Sequence, residues 1–369
     1  MSCYEFSLAR PTDDAQLRER MALDWIEGAA AISLRREPSF FESSRLLGSS
    51  VQTIVCRDTV TGRILAAFSR CITTSYIDGQ PQRTAYLSDL RIDRDHRHGL
   101  LLARIHRYLR TLHDADPLHC WALIYDDNET ALRNLVGGRA GLPFYLQRGR
   151  LLARAIRLTR RRAAPTLPGI ELRRARAEEL PEFVRFINRR RASRYLAPRL
   201  DITDFDLGRR CDTLRAEDFF VATRDGRICA TMAAWDQASI RQAHVERYPR
   251  STQLIRIPYN IAASLRRLPK LPARGEALPY LYLAFIAVED DDTTLCAALL
   301  RHAYNALCHG QWLYALAALH DDDPLLPVFA DYPATTTSVV RLFEVDFSHT
   351  PKLAQSAYSQ RACVEFALS

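Results

Sequence analysis

Lysine is almost absent from this sequence: of 51 basic residues only Lys270 and Lys352 are lysines, and the rest are arginine. Arginine keeps its proton in proteins, so mechanisms built on a lysine nucleophile or a Schiff base have almost no residue to run on. Paired cysteines are missing too. The nine cysteines form no CxxC, are odd in number and sit mostly inside apolar runs, the pattern of buried reduced thiols rather than a disulfide framework. The ten histidines form no HExxH and no cluster with cysteine, so we expect no dedicated metal centre. No stretch reaches the roughly eighteen apolar residues of a membrane span, and the opening MSCYEFSLARPTDDAQ has no apolar signal core. The expectation is a cytoplasmic chain with no membrane partner.

What is present is ordinary globular composition, 47% hydrophobic and 25% charged, over 369 residues, enough for two domains that each bury a core. The net charge of +8 comes from dispersed arginines. They are not interleaved with aromatics as a nucleic-acid groove requires, so nucleic acid is not the expected partner.

The sequence repeats itself. LARPTDDAQL near the start returns as LRRARAEEL, and IVCRDTVTGRILAAFS returns as FVATRDGRICATMAAW, a strand, a Thr-Gly or Asp-Gly turn and a second strand. A third block pairs YLSDLRIDRDHRHGLLLARIHRYLRTL with YLYLAFIAVEDDDTTLCAALLRHAYNAL, a strand, a polar loop and a helix with apolar residues at Leu101, Ile105, Tyr108 and Leu112, or at Leu295, Leu299, Ala303 and Leu307. This predicts an α/β fold with a mixed sheet in two tandem domains, residues 1–160 and 170–369, joined by an arginine-rich linker over 161–169. An insertion in the second copy, about 241–278, reads as a surface excursion with a short helix, a decoration or a lid. The segment QRACVEFAL after Phe347 alternates like a final strand.

Strand and helix, hairpin, central strand, loop, helix and strand, in that order, resemble the GNAT N-acetyltransferase fold, twice over. In that family a Q/R-x-x-G-x-G/A loop after the central strand holds the acyl-CoA pyrophosphate with amides at a helix N-terminus, where the helix dipole favours an anion. The stretch RDHRHGLLLARI is similar. Arg97 and Gly99 supply a basic residue and a glycine, with His96 and His98 as further donors; a register on His96 puts Leu101 at the second small-residue position, and one on Arg97 puts Leu100 and Leu102 at both. A backbone opening a helix into a V-shaped gap between splayed strands is what the resemblance implies here. The second copy instead has VEDDDTTL, whose carboxylates repel a pyrophosphate, so CoA binding is expected in the first copy alone. A cation held by Glu289–Asp292 or Asp321–Asp323 is an alternative use of the acids.

YDDNETALRNL resembles the family's N-x-x-A stretch through Asn128 and Ala131, with Leu135 where a proton-donating tyrosine often stands. Tyr125, Tyr145 or solvent then has to protonate the departing thiolate. YLSDLRI is similar to the YLEDLYV of polyamine-type members and keeps Asp89, a candidate base or a structural hydrogen-bond acceptor. Amides near Leu90, Arg91 and Ile92 would polarise the thioester. His106, Tyr108 and His113 read as partly exposed helix residues, Tyr86 as core, and Cys120 as an unneeded acyl acceptor. The resemblance implies transfer of an acetyl or short acyl group from acetyl-CoA to the primary amine of a small molecule or peptide. A non-catalytic acyl-CoA-binding protein is the alternative, and a homodimer is compatible with either.

Overall fold

A computed structural model of the chain describes residues 4–26, 30–97, 100–139, 141–266, 268–348 and 360–369. Its first half runs β1 (Tyr4–Leu8), α1 (Asp14–Leu23), β2 (Trp25–Ile26), β3 (Ala31–Arg35), α2 (Phe40–Ser44), β4 (Ser50–Asp58) and β5 (Ile64–Ile77). It continues through β6 (Gln80–Ile92), α3 (Leu101–Ala115), β7 (His119–Tyr125), α4 (Glu129–Leu135) and β8 (Phe144–Arg157). The second half repeats the plan with β9 (Ile170–Arg174), α5 (Leu180–Arg191), β10 (Phe219–Arg224), β11 (Arg227–Trp235), β12 (Gln242–Arg247) and α6 (Arg250–Leu265). After these come β13 (Tyr280–Val288), α7 (Thr293–Leu307), β14 (Tyr314–His320), α8 (Leu326–Ala330) and β15 (Ala334–Asp346).

Local chemistry accounts for the elements. The hairpin turns carry Gly62 at φ 71° and Gly226 at φ 74°, conformations open to glycine. Helix α3 buries Leu101 and Ile105 of its expected stripe and adds Leu109, while Tyr108 and Leu112 are half-buried against the same core. Asp292 caps α7 by accepting from the amides of Thr294 and Leu295, so an acid takes the helix end where the first half has its basic loop.

One sheet of twelve strands runs through both halves in the order β1-β4-β5-β6-β7-β15-β8-β14-β13-β11-β10-β9. The closing strands are exchanged: β15 pairs with β7 of the first half, and β8 pairs with β14 of the second. Phe343 and Val345 of β15 thereby enter the core of the first half, and Ile156 of β8 enters that of the second. Each such side chain contributes on the order of 2 kcal/mol. Neither core closes without a strand from the other half.

A matching distortion marks the central strand of each half. Ala67 faces Arg91 while Ser69 faces Ser88, so two residues, Asp89 and Leu90, lie opposite Phe68. Thr231 faces Ala287 while Ala233 faces Ala284, leaving Phe285 and Ile286 opposite Met232. Asp89 (φ 56°) and Phe285 (φ 52°) are thus equivalent bulge residues. This equivalence places Tyr86 over Tyr282, whereas the plain alignment of the two sequence blocks pairs it with Tyr280. The run from bulge to helix is longer in the first half, Asp89 to Leu101, than in the second, Phe285 to Thr293.

Two local expectations need correction. QRACVEFAL is not a strand: Ala362 makes a single bridge to Tyr195, and Phe366–Leu368 form a 3-10 turn. The alternation is real, but the segment is held by Glu365, which accepts from the Phe285 amide (2.8 Å) and from Arg191 (2.8 Å). The insertion, for its part, holds more than a short helix. β12 adds to β3 of the first half in a small separate sheet, and α6 has sixteen residues.

Candidate functional site

Strands β6 and β7 pair in parallel only from Thr84 and His119 to Leu87 and Ala122. Beyond the Asp89 bulge they are no longer paired with each other, and a cavity of about 1300 Å³ opens there. Its walls include Ser88–Ile92 on β6, Leu123–Tyr125 on β7, Arg97 and Leu102 at the start of α3, and Asn128, Ala131 and Asn134 around α4. The second half adds Arg241, Tyr280, Tyr282 and Tyr314, with Thr335–Val340 of the exchanged strand. Phe366 and Ser369 close one side.

The basic loop is anchored rather than free. Arg97 donates to the Ile92 carbonyl (3.1 Å) and to Asp24 (2.7 Å), and Asp24 also meets the buried Arg20 (3.5 Å). His96 pairs with Asp93 (3.1 Å). His98 and Gly99 lie outside the described residues. Of the three leucines that follow, Leu100 is 71% exposed, Leu101 is buried in the core and Leu102 alone lines the cavity. Asn128 caps α4, its side chain accepting from the Ala131 amide (3.0 Å).

Asp89 reaches the cavity but is already engaged. Its carboxylate accepts from Arg36 (2.7 Å) and stands 3.5 Å from Ser88 Oγ, and both members of the ion pair are buried. Arg36 also donates to Ser44 Oγ (2.8 Å) and lies over the Phe40 ring. No motif marks Arg36 in the sequence; only the fold brings it to the bulge.

The two candidate proton donors differ in their partners. Burial raises the Tyr125 phenol to about 12, so it holds its proton at neutral pH. Burial raises Tyr145 as well, and its hydroxyl lies 3.4 Å from His106 Nε2. His106 is 1% exposed, not partly exposed as its helix position suggests. Burial lowers it to about 4, so it is neutral; Nδ1–H donates to the Leu102 carbonyl (2.9 Å) and Nε2 accepts from Tyr145. Tyr145 therefore spends its proton on α3. Cys120 is buried with its thiol pushed up to about 12, which keeps it out of nucleophilic chemistry.

The corresponding place in the second half is filled. Glu365 sits on the Phe285 amide, and Asp291 and Asp290 pair with Arg194 (2.6 Å) and Arg190 (3.5 Å). Arg241 ties the filling segment to the cavity wall. It donates to the main-chain oxygens of Ala367 (2.9 Å) and Ser369 (2.6 Å) and lies 5.2 Å from the centre of the Tyr282 ring.

No family model matches the chain, and no curated protein matches its sequence. Solved structures do match in shape. N-myristoyltransferase of Saccharomyces cerevisiae with bound myristoyl-CoA superposes with a TM-score of 0.61 at 12% identity, covering 95% of this chain and 84% of that one. A GCN5-related N-acetyltransferase from Sphaerobacter thermophilus gives 0.53 at 11% identity, covering 96% and 99%. The chain has the GNAT fold. A GCN5-related N-acetyltransferase from Anabaena variabilis agrees, with a TM-score of 0.52 at 10% identity over 92% of this chain and 72% of that one. In GNAT terms, the central strand is β6, and the strands that part are β6 and β7.

Proposed function

We propose that this protein is an acyl-CoA-dependent N-acyltransferase whose reaction takes place in the first half, where β6 and β7 part. The observation that carries this reading is the cavity at the Asp89 bulge, bounded by strand residues Leu90–Ile92 on one side and by Arg97, Leu102 and Asn128 on the other. The CoA moiety lies along Arg97–Leu101 and Asn128. The amine nitrogen attacks the thioester carbonyl and forms the C–N bond, an amide of Leu90–Ile92 stabilises the resulting oxyanion, and collapse of that oxyanion breaks the C–S bond. Tyr125, half-buried on the cavity wall and protonated, gives its proton to the departing thiolate. Tyr145 is the weaker candidate, because its hydroxyl serves His106. The amine proton leaves to water in the cavity, while Asp89 with Arg36 holds the bulge.

Acetyl-CoA is the donor the family resemblance favours, yet an acetyl group fills little of a cavity larger than the ~300–1,000 Å³ usual for small-molecule sites. Leu87, Leu102, Leu123 and Leu135 line it, giving an apolar path for a longer acyl chain. The yeast protein with myristoyl-CoA shows that a relative in fold holds such a chain. The donor class is therefore acyl-CoA from acetyl upward, and the acceptor is an amine-bearing small molecule or peptide.

The test is release of free CoA thiol with donors of two to sixteen carbons and a panel of amines. Turnover above background, lost in Gly99→Asp and reduced in Tyr125→Phe, is the expected result. Binding without turnover for every donor and amine would leave the non-catalytic reading, which the engaged Asp89 and the hydrocarbon at Leu135 favour.

A further inference from the structure

Helix α6 is built inside out. A helix on a globular surface turns its apolar stripe to the core, but here Leu254, Ile257, Ile261 and Leu265 follow one another at helical spacing along a single face and are 79%, 65%, 60% and 83% exposed. The opposite face is polar or small: Ala263 is the buried residue of the helix, and Asn260 faces the returning chain. The Asn260 amide donates to the Leu271 carbonyl (3.0 Å) and its oxygen accepts from the Leu271 amide (2.9 Å). Tyr248 adds a bond to the Pro272 carbonyl (3.1 Å). The outward stripe is therefore fixed by specific hydrogen bonds.

The charge around this stripe has one sign. From Arg247 to Arg274 the sequence contains no Asp or Glu. Arg250 stands exposed at one end of the helix, and Arg266 and Lys270 at the other, with Arg274 beyond. Apolar side chains on one face with cations at both ends are the signature of a helix lying in the headgroup region of an anionic bilayer. Pairing with the same helix of a second copy suits this pattern poorly. In either orientation it sets cationic ends against cationic ends.

We propose that α6 is a membrane-surface docking helix that lays Leu254, Ile257, Ile261 and Leu265 into an anionic lipid bilayer. The expectation of no membrane partner came from the lack of a spanning segment, and among the described residues no helix is long and apolar enough to cross. Lying on a membrane needs no such length. The insertion also supplies Tyr248, Thr252 and Leu271 to the cavity wall, so docking brings that wall to the lipid surface.

The experiment is flotation of the full chain with vesicles of phosphatidylcholine containing phosphatidylglycerol, against vesicles of phosphatidylcholine alone, at low and high salt. The wild type should float with the anionic vesicles, more strongly at low salt. Leu254→Ser/Ile261→Ser, which alters only exposed positions, should partition at least about tenfold less while keeping the wild-type unfolding transition. Arg266→Gln/Lys270→Gln should weaken flotation with the anionic vesicles alone. Three results overturn the proposal: a wild type that floats with neither vesicle; a serine variant that floats as well as the wild type; or a dimer in light scattering that the serine substitutions dissolve, which assigns the stripe to a second copy.

Discussion

The Arg36 guanidinium and the Asp89 carboxylate stand 2.7 Å apart at the bulge that parts β6 from β7, and both side chains are largely buried. Removing one partner of a buried pair strands the other charge. Arg36→Met should therefore lower unfolding stability by about 3 kcal/mol, and adding Asp89→Asn should recover much of the loss. Asparagine tolerates the φ of 56° at that position. Urea unfolding of the single and double variants checks this, and strictly additive losses would contradict it.

Glu365 does for the second half what the cavity leaves undone in the first. It occupies the Phe285 amide and neutralises the buried Arg191. Glu365→Ala should cost about 3 kcal/mol in the same assay, with Glu365→Gln milder because its amide oxygen can still accept from Phe285. In neither variant should the number of acyl-CoA molecules bound rise above one per chain, since the acids before α7 remain. Two bound per chain would refute the reading of the second half as closed.

His106 makes stability depend on pH in a definite direction. Its folded value of about 4 lies below the value of about 6.5 for an unfolded histidine. Between those values the unfolded chain binds the extra proton, so stability falls as pH drops from 6.5 toward 4, by up to about 1.4 kcal/mol per pH unit. Above pH 6.5 the ring is neutral in both states and contributes no slope. Burial lowers His113 and His119 in the same direction. His106→Gln should flatten part of the slope in denaturant titrations at pH 5 and 7.5, and an unchanged slope would count against a buried neutral imidazole.

Gly149, where the exchanged β8 passes His320, tests the crossing itself. It sits at φ 145°, and a Cβ there would come 2.0 Å from His320 Nε2. Gly149→Ala should destabilise the chain by about 2–3 kcal/mol. Adding His320→Ala should return only the part due to contact, leaving the backbone strain. Tolerance of the single change would mean the strands cross with more room than the structure shows.

These residues also mark what could be read in advance. The hairpins, α3 and α7 were legible because Gly62, Gly226 and the leucine spacing act within a few residues of themselves. The exchange of β8 and β15 was not, because it joins Phe144 to Asp346 and no local pattern distinguishes one partner strand from another. Asp89 was found through the resemblance of YLSDLRI, whereas Arg36 lies fifty-three residues earlier without a motif. In QRACVEFAL the alternation was sound and the inference from it was not. Its Glu365 answers to an unpaired amide on another strand, which periodicity does not register. The insertion was legible as a surface excursion with a short helix, but the sixteen residues of α6 and its outward apolar stripe came only with the fold.

Calorimetric titration of the wild-type chain with acyl-CoAs of increasing chain length reads donor binding at the cavity without requiring an acceptor. One acyl-CoA should bind saturably per chain, with binding lost in Gly99→Asp and tighter as the acyl chain extends into the cavity. Absence of binding by any acyl-CoA at near-millimolar concentration would contradict an acyl-CoA site at the cavity.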